Sequence, residues 1–237
     1  MAATALLLVR HGESLANVAA AEAERTGAER VEVPMRDADV PLTAVGAAQA
    51  AAVGGWLLAL PAADYPRSVW VSPYLRARQT AEIALAMRPD GHPPRLDERL
   101  RDNETGVLDR LTARGIEARE PAEAERIRHQ GRYYHRPPGG ESWADVALRI
   151  RSFLGGLDSE ECASTALVFA HDTVVMLFRV VCEGLTELEA LELARTPVQN
   201  GSITRIVRTN KSAPWRVQYY NSITHLTRPT GKLGRPE

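Results

Sequence analysis

Two histidines in this chain each stand at the end of a run of apolar residues, His11 after one intervening arginine, which is where chemistry collects in many α/β proteins. Ala5-Leu6-Leu7-Leu8-Val9 runs into Arg10-His11-Gly12-Glu13-Ser14, and Ala166-Leu167-Val168-Phe169-Ala170 runs into His171-Asp172. Five consecutive apolar residues predict a buried strand, so each histidine is expected at a strand's carboxyl end, the ligand-binding end of open α/β sheets. Gly12 lets the backbone approach a ligand closely. Ser14 can cap a helix beginning at Leu15, whose free N–H groups would face the same spot. Such a place suits an anion, phosphate above all.

A single arginine says little here, because the chain holds 27 Arg against 2 Lys, and one histidine after a strand is most often structural. Combination and order say more. Val69-Trp70-Val71 predicts another strand, which passes through Ser72-Pro73 into a helix starting Tyr74-Leu75-Arg76-Ala77-Arg78-Gln79-Thr80-Ala81. Arg76 then lies on the first turn of a helix that follows a strand, and a planar guanidinium holds phosphate oxygens in pairs. Further on, Leu96-Asp97-Glu98-Arg99-Leu100-Arg101-Asp102-Asn103-Glu104-Thr105-Gly106 brings several carboxylates close together.

The Arg10-to-Ser14 run resembles the signature of the histidine phosphatase superfamily, the group that includes cofactor-dependent phosphoglycerate mutases and many small phosphatases. Ser-Pro-x-x-Arg-Ala-x-Gln-Thr-Ala at 72–81 is similar to the family's second arginine motif. So are Leu42-Thr43, Gly46 and Gln49-Ala50, Gly140-Glu141-Ser142 with Asp145, and Asn200-x-Ser202-Ile203-Thr204. The motifs occur in the family's order over roughly residues 4–226.

The resemblance implies a metal-independent phosphatase that hydrolyses phosphate monoesters of small molecules through a phosphohistidine. Neutral His11 would attack phosphorus, while Arg10, Arg76 and His171 neutralise the phosphoryl oxygens with Asn17 and the helix N-terminus as further donors. The family's general acid is a Glu four residues before a Gly, a position that Asp102 holds here. Glu104 stands two residues later, and Asp172 resembles the proton donor of the acid phosphatase branch, so three carboxylates compete for the role. The mutase differs in returning the phosphoryl group to an acceptor before water arrives. Two features disfavour it: mutases carry a longer segment than Leu108–Pro138 before Gly-Glu-Ser, and His-Gly-Asn where this chain has His171-Asp172. A non-catalytic relative that binds phosphorylated ligands is the third reading, disfavoured by the presence of both histidines and both arginines.

The elements that must position these groups alternate strand-like runs with helical patterns, an α/β organisation. Helices are expected from Leu15 to about Glu24, from Thr43 as cap to near Leu60, and from Val174 to about Val181. Thr112–Arg132 is charged and helical with a break at Glu120-Pro121. Arg126, Arg128 and Arg132, with Tyr133, Tyr134 and His135 just after it, are candidates to reach over the pocket. Ser142 and Asp145 predict a helix start whose Trp143, Val146, Ile150, Phe153 and Leu157 share one face. Arg25–Pro41 reads as a loop, and residues 200–207 and 215–220 as a closing strand pair. The fold expected from the resemblance is a three-layer doubly wound sheet with helices on both faces and a small helical cap, phosphoglycerate mutase-like. It forms a single domain over 1–237, with the cap at about 107–138 and a flexible tail at 228–237.

At 237 residues and 44% hydrophobic, the chain can bury one full core, and its formal charge of −1 offers no basic excess for nucleic acid. Nothing approaches the ~20 apolar residues of a membrane span and no basic leader is evident, so a soluble, cytoplasmic protein with a small phosphorylated substrate is expected. No His-rich or acidic cluster has metal-ligand spacing, and no cofactor is expected. Cys162 and Cys182 read as buried thiols, and the oligomeric state, a homodimer included, is left open.

Overall fold

The architecture follows from alternation along the first strand. The computed structural model describes residues 3–88, 93–159 and 164–227. In it β1 (Ala5–Arg10) is buried from Ala5 to Val9. Successive strand side chains point to opposite faces, and both faces of β1 are apolar. Leu6 and Leu8 enter one core with Trp70 and Val168, while Leu7 and Val9 enter another with Val69, Val71, Leu167 and Phe169. A strand apolar on both faces must lie in the middle of three layers, and β1 does.

The other strands are β2 (Ser68–Val71), β3 (Arg95–Leu96), β4 (Thr165–Ala170), β5 (Ile203–Val207) and β6 (Arg216–Ser222). They form a six-stranded mixed sheet in the order β3-β2-β4-β1-β5-β6. The first four strands are mutually parallel, and β5 and β6 add an antiparallel edge. On one face lie α6 (Trp143–Ser159), α7 (Asp172–Glu183) and α8 (Glu187–Leu193), with α2 (Ala44–Leu58) and α3 (Leu75–Leu85) on the other. The helix α1 (Leu15–Thr26) follows β1, and α4 (Ala113–Arg119) and α5 (Pro121–Gln130) lie between β3 and α6. The break at Glu120-Pro121 is where expected, with Pro121 in the first turn of α5. Trp143, Val146, Ile150, Phe153 and Leu157 are all buried in one core, as the helical spacing predicts.

Register places the chemistry. Arg10 lies opposite Ala170 in the parallel β1–β4 pair, so His11 and His171 leave neighbouring strands at the same level. The motif after β1 is then locked by α2. Thr43 caps that helix, and its backbone N–H and hydroxyl donate to the Glu13 carbonyl and carboxylate at 2.9 and 2.7 Å. A Cβ on Gly46 would lie 2.0 Å from the Glu13 carbonyl oxygen, so only glycine lets the helix approach this closely. Gln49 accepts the Glu13 N–H at 2.8 Å, and Thr80 of α3 accepts that of Gly12 at 3.0 Å.

Three differences from the sequence reading have simple causes. The two residues of β3 pair with Trp70 and Val71 at the exposed sheet edge, too short and too exposed to show a pattern. The helix α7 starts at Asp172 because extended His171 itself occupies the cap position. Cys182 is half-buried rather than core, although burial still pushes its thiol up to about 12 and leaves it inert. Cys162 and the tail at 228–237 lie outside the described residues. Among the described residues, no helix is long and apolar enough to cross a membrane.

Candidate active site

Four strand-end and helix-start residues converge beyond the carboxyl edge of β4, β1 and β2. The His11 and His171 rings meet edge to face with centroids 5.2 Å apart, and both are buried. His11 Nδ1 lies 2.7 Å from the Gly12 carbonyl oxygen. A carbonyl only accepts, so this contact places the ring proton on Nδ1 and leaves Nε2 with a free lone pair. Burial first, then His171, Arg76 and Arg10, hold His11 well below the ordinary histidine pKa. The imidazole is therefore neutral and nucleophilic at physiological pH.

His171 is oriented from the other side. The carboxylate of Asp102, on the Nδ1 side of the ring, can only accept, so His171 carries its hydrogen on Nδ1 and its Nε2 accepts from the Ser72 hydroxyl at 2.7 Å. That Nδ1 is buried without a hydrogen bond and stands 3.3 Å from an Asp102 carboxylate oxygen. Burial depresses His171 to about 3, against the opposing pull of Asp102. His171 is thus a neutral donor with its Nδ1–H on the Asp102 side.

Arg76 leaves the first turn of α3 almost wholly buried, with its guanidinium 2.8 Å from the Asp102 carboxylate and 5.0 Å over the Tyr74 ring centroid. Arg10 is anchored by the Val198 carbonyl, and its Nε is buried without a partner. Asn17 completes a capping box with Ser14. Its side-chain oxygen takes hydrogen bonds from Ser14 N–H, the Ser14 hydroxyl and Asn200, which leaves its NH2 group as the donor to spare.

The three carboxylates are not equivalent. Asp102 lies against both Arg76 and His171. Burial alone would raise its pKa, but His171 and Arg76 outweigh burial and hold it below the usual carboxylate range. Glu104 is exposed and takes a hydrogen bond from the Tyr74 hydroxyl. Asp172 accepts the Val198 N–H at 3.1 Å, and burial raises its carboxyl. Because Val198 also anchors Arg10, Asp172 is tied to the arginine's support. The loop carrying Asp102 is held by Arg149 of α6, which donates to the carbonyls of Arg99 and Asp102 and to Glu141.

Of the α4–α5 region candidates, Arg126 and Arg128 are occupied by Glu123, Glu117 and Glu125, and His135 pairs with buried Glu123. Tyr133 is buried against Trp143, Tyr134 is exposed, and Arg132 stacks on Trp143. Asp37, Ser72, Tyr74 and Arg149 have roles that sequence reasoning missed. Ser72 and Tyr74 flank the Arg76 motif, a signal that was available, whereas Asp37 lies in a polar loop without one. Among the described residues, no group of three or more His, Cys, Asp or Glu could hold a metal ion. A surface cleft lined by Gly27, Glu29, Arg30, Glu32, Arg114 and Arg119 contains none of the candidate residues.

The buried neutral histidines make stability depend on pH. On acidification the unfolded chain protonates these rings below about 6.5, while the folded one resists until its lower values. The unfolded state binds more protons across that window, so stability is full above it and is lost as pH falls toward about 3 for His171. Raised Asp37 and Asp172 act in the opposite sense, from the acidic end. The melting temperature is expected to drop between pH 7.5 and 5.5, and to drop less in His171→Gln. An equal slope in that variant would remove His171 as a source.

Comparison with known proteins gives the family and the fold. A family model described as the histidine phosphatase superfamily (branch 1) matches residues 6–223. A 2,3-bisphosphoglycerate-dependent phosphoglycerate mutase from Gloeobacter violaceus is 32% identical over 195 residues, 79% of this chain and 80% of that one. A mycobacterial glucosyl-3-phosphoglycerate phosphatase, solved with VO3, superposes with a TM-score of 0.72 at 26% identity, covering 93% of this chain and 100% of that one. An α-ribazole phosphatase from Shigella flexneri, 23% identical, superposes at 0.72 over 92% of this chain and 96% of the other, a likeness of fold.

Proposed function

This chain belongs to branch 1 of the histidine phosphatase superfamily, and we propose that it is a phosphatase that hydrolyses small phosphate monoesters through a phosphohistidine on His11. One observation carries the reading. A buried, neutral His11 whose Nδ1–H is held by the Gly12 carbonyl, leaving the Nε2 lone pair, meets the His171 ring at 5.2 Å, and Arg76 and Arg10 lie close enough to depress both rings. Such an arrangement binds a tetrahedral dianion and supplies a nucleophile at its centre.

In this mechanism Arg76, Arg10, His171 Nδ1–H and the Asn17 amide take the phosphoryl oxygens, and His11 Nε2 attacks phosphorus. The P–O bond to the alcohol breaks, and the leaving oxygen takes a proton from Asp102. Water then attacks the phosphohistidine, gives its proton to Asp102 and releases phosphate with free His11. Asp102 is ionised in the free protein, but a phosphate dianion beside it adds a like charge and favours its protonated form. Asp102 serves better than its rivals because it alone touches both Arg76 and His171. Tyr74 bonding accounts for Glu104, and support of Arg10 through Val198 accounts for Asp172. On this reading the α4–α5 segment serves as a cap within a single domain.

The identity to a phosphoglycerate mutase over most of both chains supports a second reading, phosphoryl return to an acceptor. Incubation with a panel of phosphorylated metabolites, phosphoglycerates included, separates them by phosphorus NMR. Free phosphate is the expected product, and isomerisation without it would establish the mutase.

A further inference from the structure

The two arginine nitrogens best placed to grip a phosphate are already holding a carboxylate. Arg76 Nη1 donates to the Asp37 carbonyl at 2.6 Å and to its Oδ1 at 3.1 Å. Nη2 donates to Asp37 Oδ2 at 3.0 Å and to Asp102 at 2.8 Å. These four contacts account for the four terminal N–H groups of the guanidinium. Oδ1 and Oδ2 of Asp37 sit one on each nitrogen, the paired geometry in which a guanidinium also receives two phosphate oxygens.

Asp37 comes from outside the pocket. Its side chain is 43% exposed while that of Arg76 is 4% exposed, so it covers the arginine on the solvent side. It lies on a short 3-10 turn, Asp37–Asp39, in the segment between α1 and α2. Arg110 steadies that segment by donating to the carbonyls of Val33 and Met35. The carboxylate stays in unfavourable company, because burial and the nearby Asp102 and Asp109 all oppose its charge and Arg76 alone favours it.

We propose that Asp37 is a built-in competitor for phosphate: its carboxylate holds the Arg76 nitrogens that a substrate phosphate takes over, so Asp37 sets phosphate affinity and favours product release. This rests on Arg76 being a phosphate ligand. Substrate entry exchanges one anion for another on the same guanidinium, while the Asp37 carbonyl keeps Arg76 in place. After hydrolysis the carboxylate returns and displaces the inorganic phosphate, which would otherwise remain clamped.

Titration calorimetry of the full chain with inorganic phosphate tests this without requiring turnover. Asp37→Asn keeps the side chain's shape and the backbone carbonyl but removes the charge. It is expected to bind phosphate roughly tenfold more tightly than wild type, with a matching fall in KM, and Asp37→Glu is expected to restore weaker binding. A residue that merely props Arg76 would give the reverse, weaker phosphate binding and higher KM in Asp37→Asn, and that result overturns the proposal. Loss of kcat confined to substrates with poor leaving groups would make Asp37 a proton donor and also overturn it. If wild type, Asp37→Asn and Arg76→Ala all fail to bind phosphate, the phosphate pocket itself is refuted. If Arg76→Ala alone loses binding while Asp37→Asn matches wild type, only the competitor role falls.

Discussion

His11→Ala is expected to release phosphate at least about 10⁴-fold more slowly than wild type and to leave no phosphorylated protein on rapid quenching. The loss should lie in kcat. In the proposed mechanism phosphate is gripped by Arg76, Arg10 and His171, whose hydrogen-bonding supports, Asp102, Val198 and Ser72, do not include the His11 ring. Inorganic phosphate should therefore still bind, and circular dichroism should report an intact fold. His11→Asn, closer in volume, guards against a collapse of the buried site. Quenched wild type should carry an acid-labile phosphorus signal, because the N–P bond of a phosphohistidine hydrolyses in acid. A variant that kept a tenth of wild-type activity would remove His11 as nucleophile and point to direct attack by water.

The second large effect concerns the proton. Asp102→Asn is expected to slow hydrolysis of an alkyl phosphate by about 10²- to 10⁴-fold but that of an aryl phosphate with a good leaving group by tenfold or less. A phenolate of low basicity leaves without help, whereas an alkoxide does not. Glu104→Gln and Asp172→Asn should show no such contrast, and Asp172→Ala, which takes the acceptor from the Val198 N–H, should chiefly raise KM by loosening the Val198 support of Arg10. Equal losses on both esters in Asp102→Asn would refute a dedicated donor.

The pH dependence follows with its sign. Asp102 lies below the usual carboxylate range in the free protein, so it is ionised at neutral pH and its proton must arrive with a monoanionic substrate. A phosphate monoester loses that proton near pH 6, so kcat/KM on an alkyl ester should fall as pH rises beyond about 6. His11, held well below 6.5, remains a free nucleophile on the acid side. A kcat/KM that instead rose from pH 6 to 8 would contradict this arrangement.

The sequence by itself determined every strand but β3, the two histidines at strand ends and the arginine one helical turn past β2. These are local matters: an apolar run of five, a capping serine and a glycine that only close packing requires can each be read within ten residues. Gly46 illustrates it, since its place in a Leu-Thr…Gly…Gln stretch was legible while its reason, contact with the Glu13 carbonyl, is a meeting of segments more than thirty residues apart. The acid could not be chosen from the chain, because Asp102, Glu104 and Asp172 differ only in what folds against them. Arg76 and His171 claim the first, Tyr74 the second and the Val198 amide the third. Asp37 was invisible for the same reason, a charged residue in a charged loop whose significance comes from the buried guanidinium beneath it. Residue type and spacing decide which chemistry is available, but pKa, tautomer and occupancy are set by neighbours across space, and those only the tertiary structure brings together.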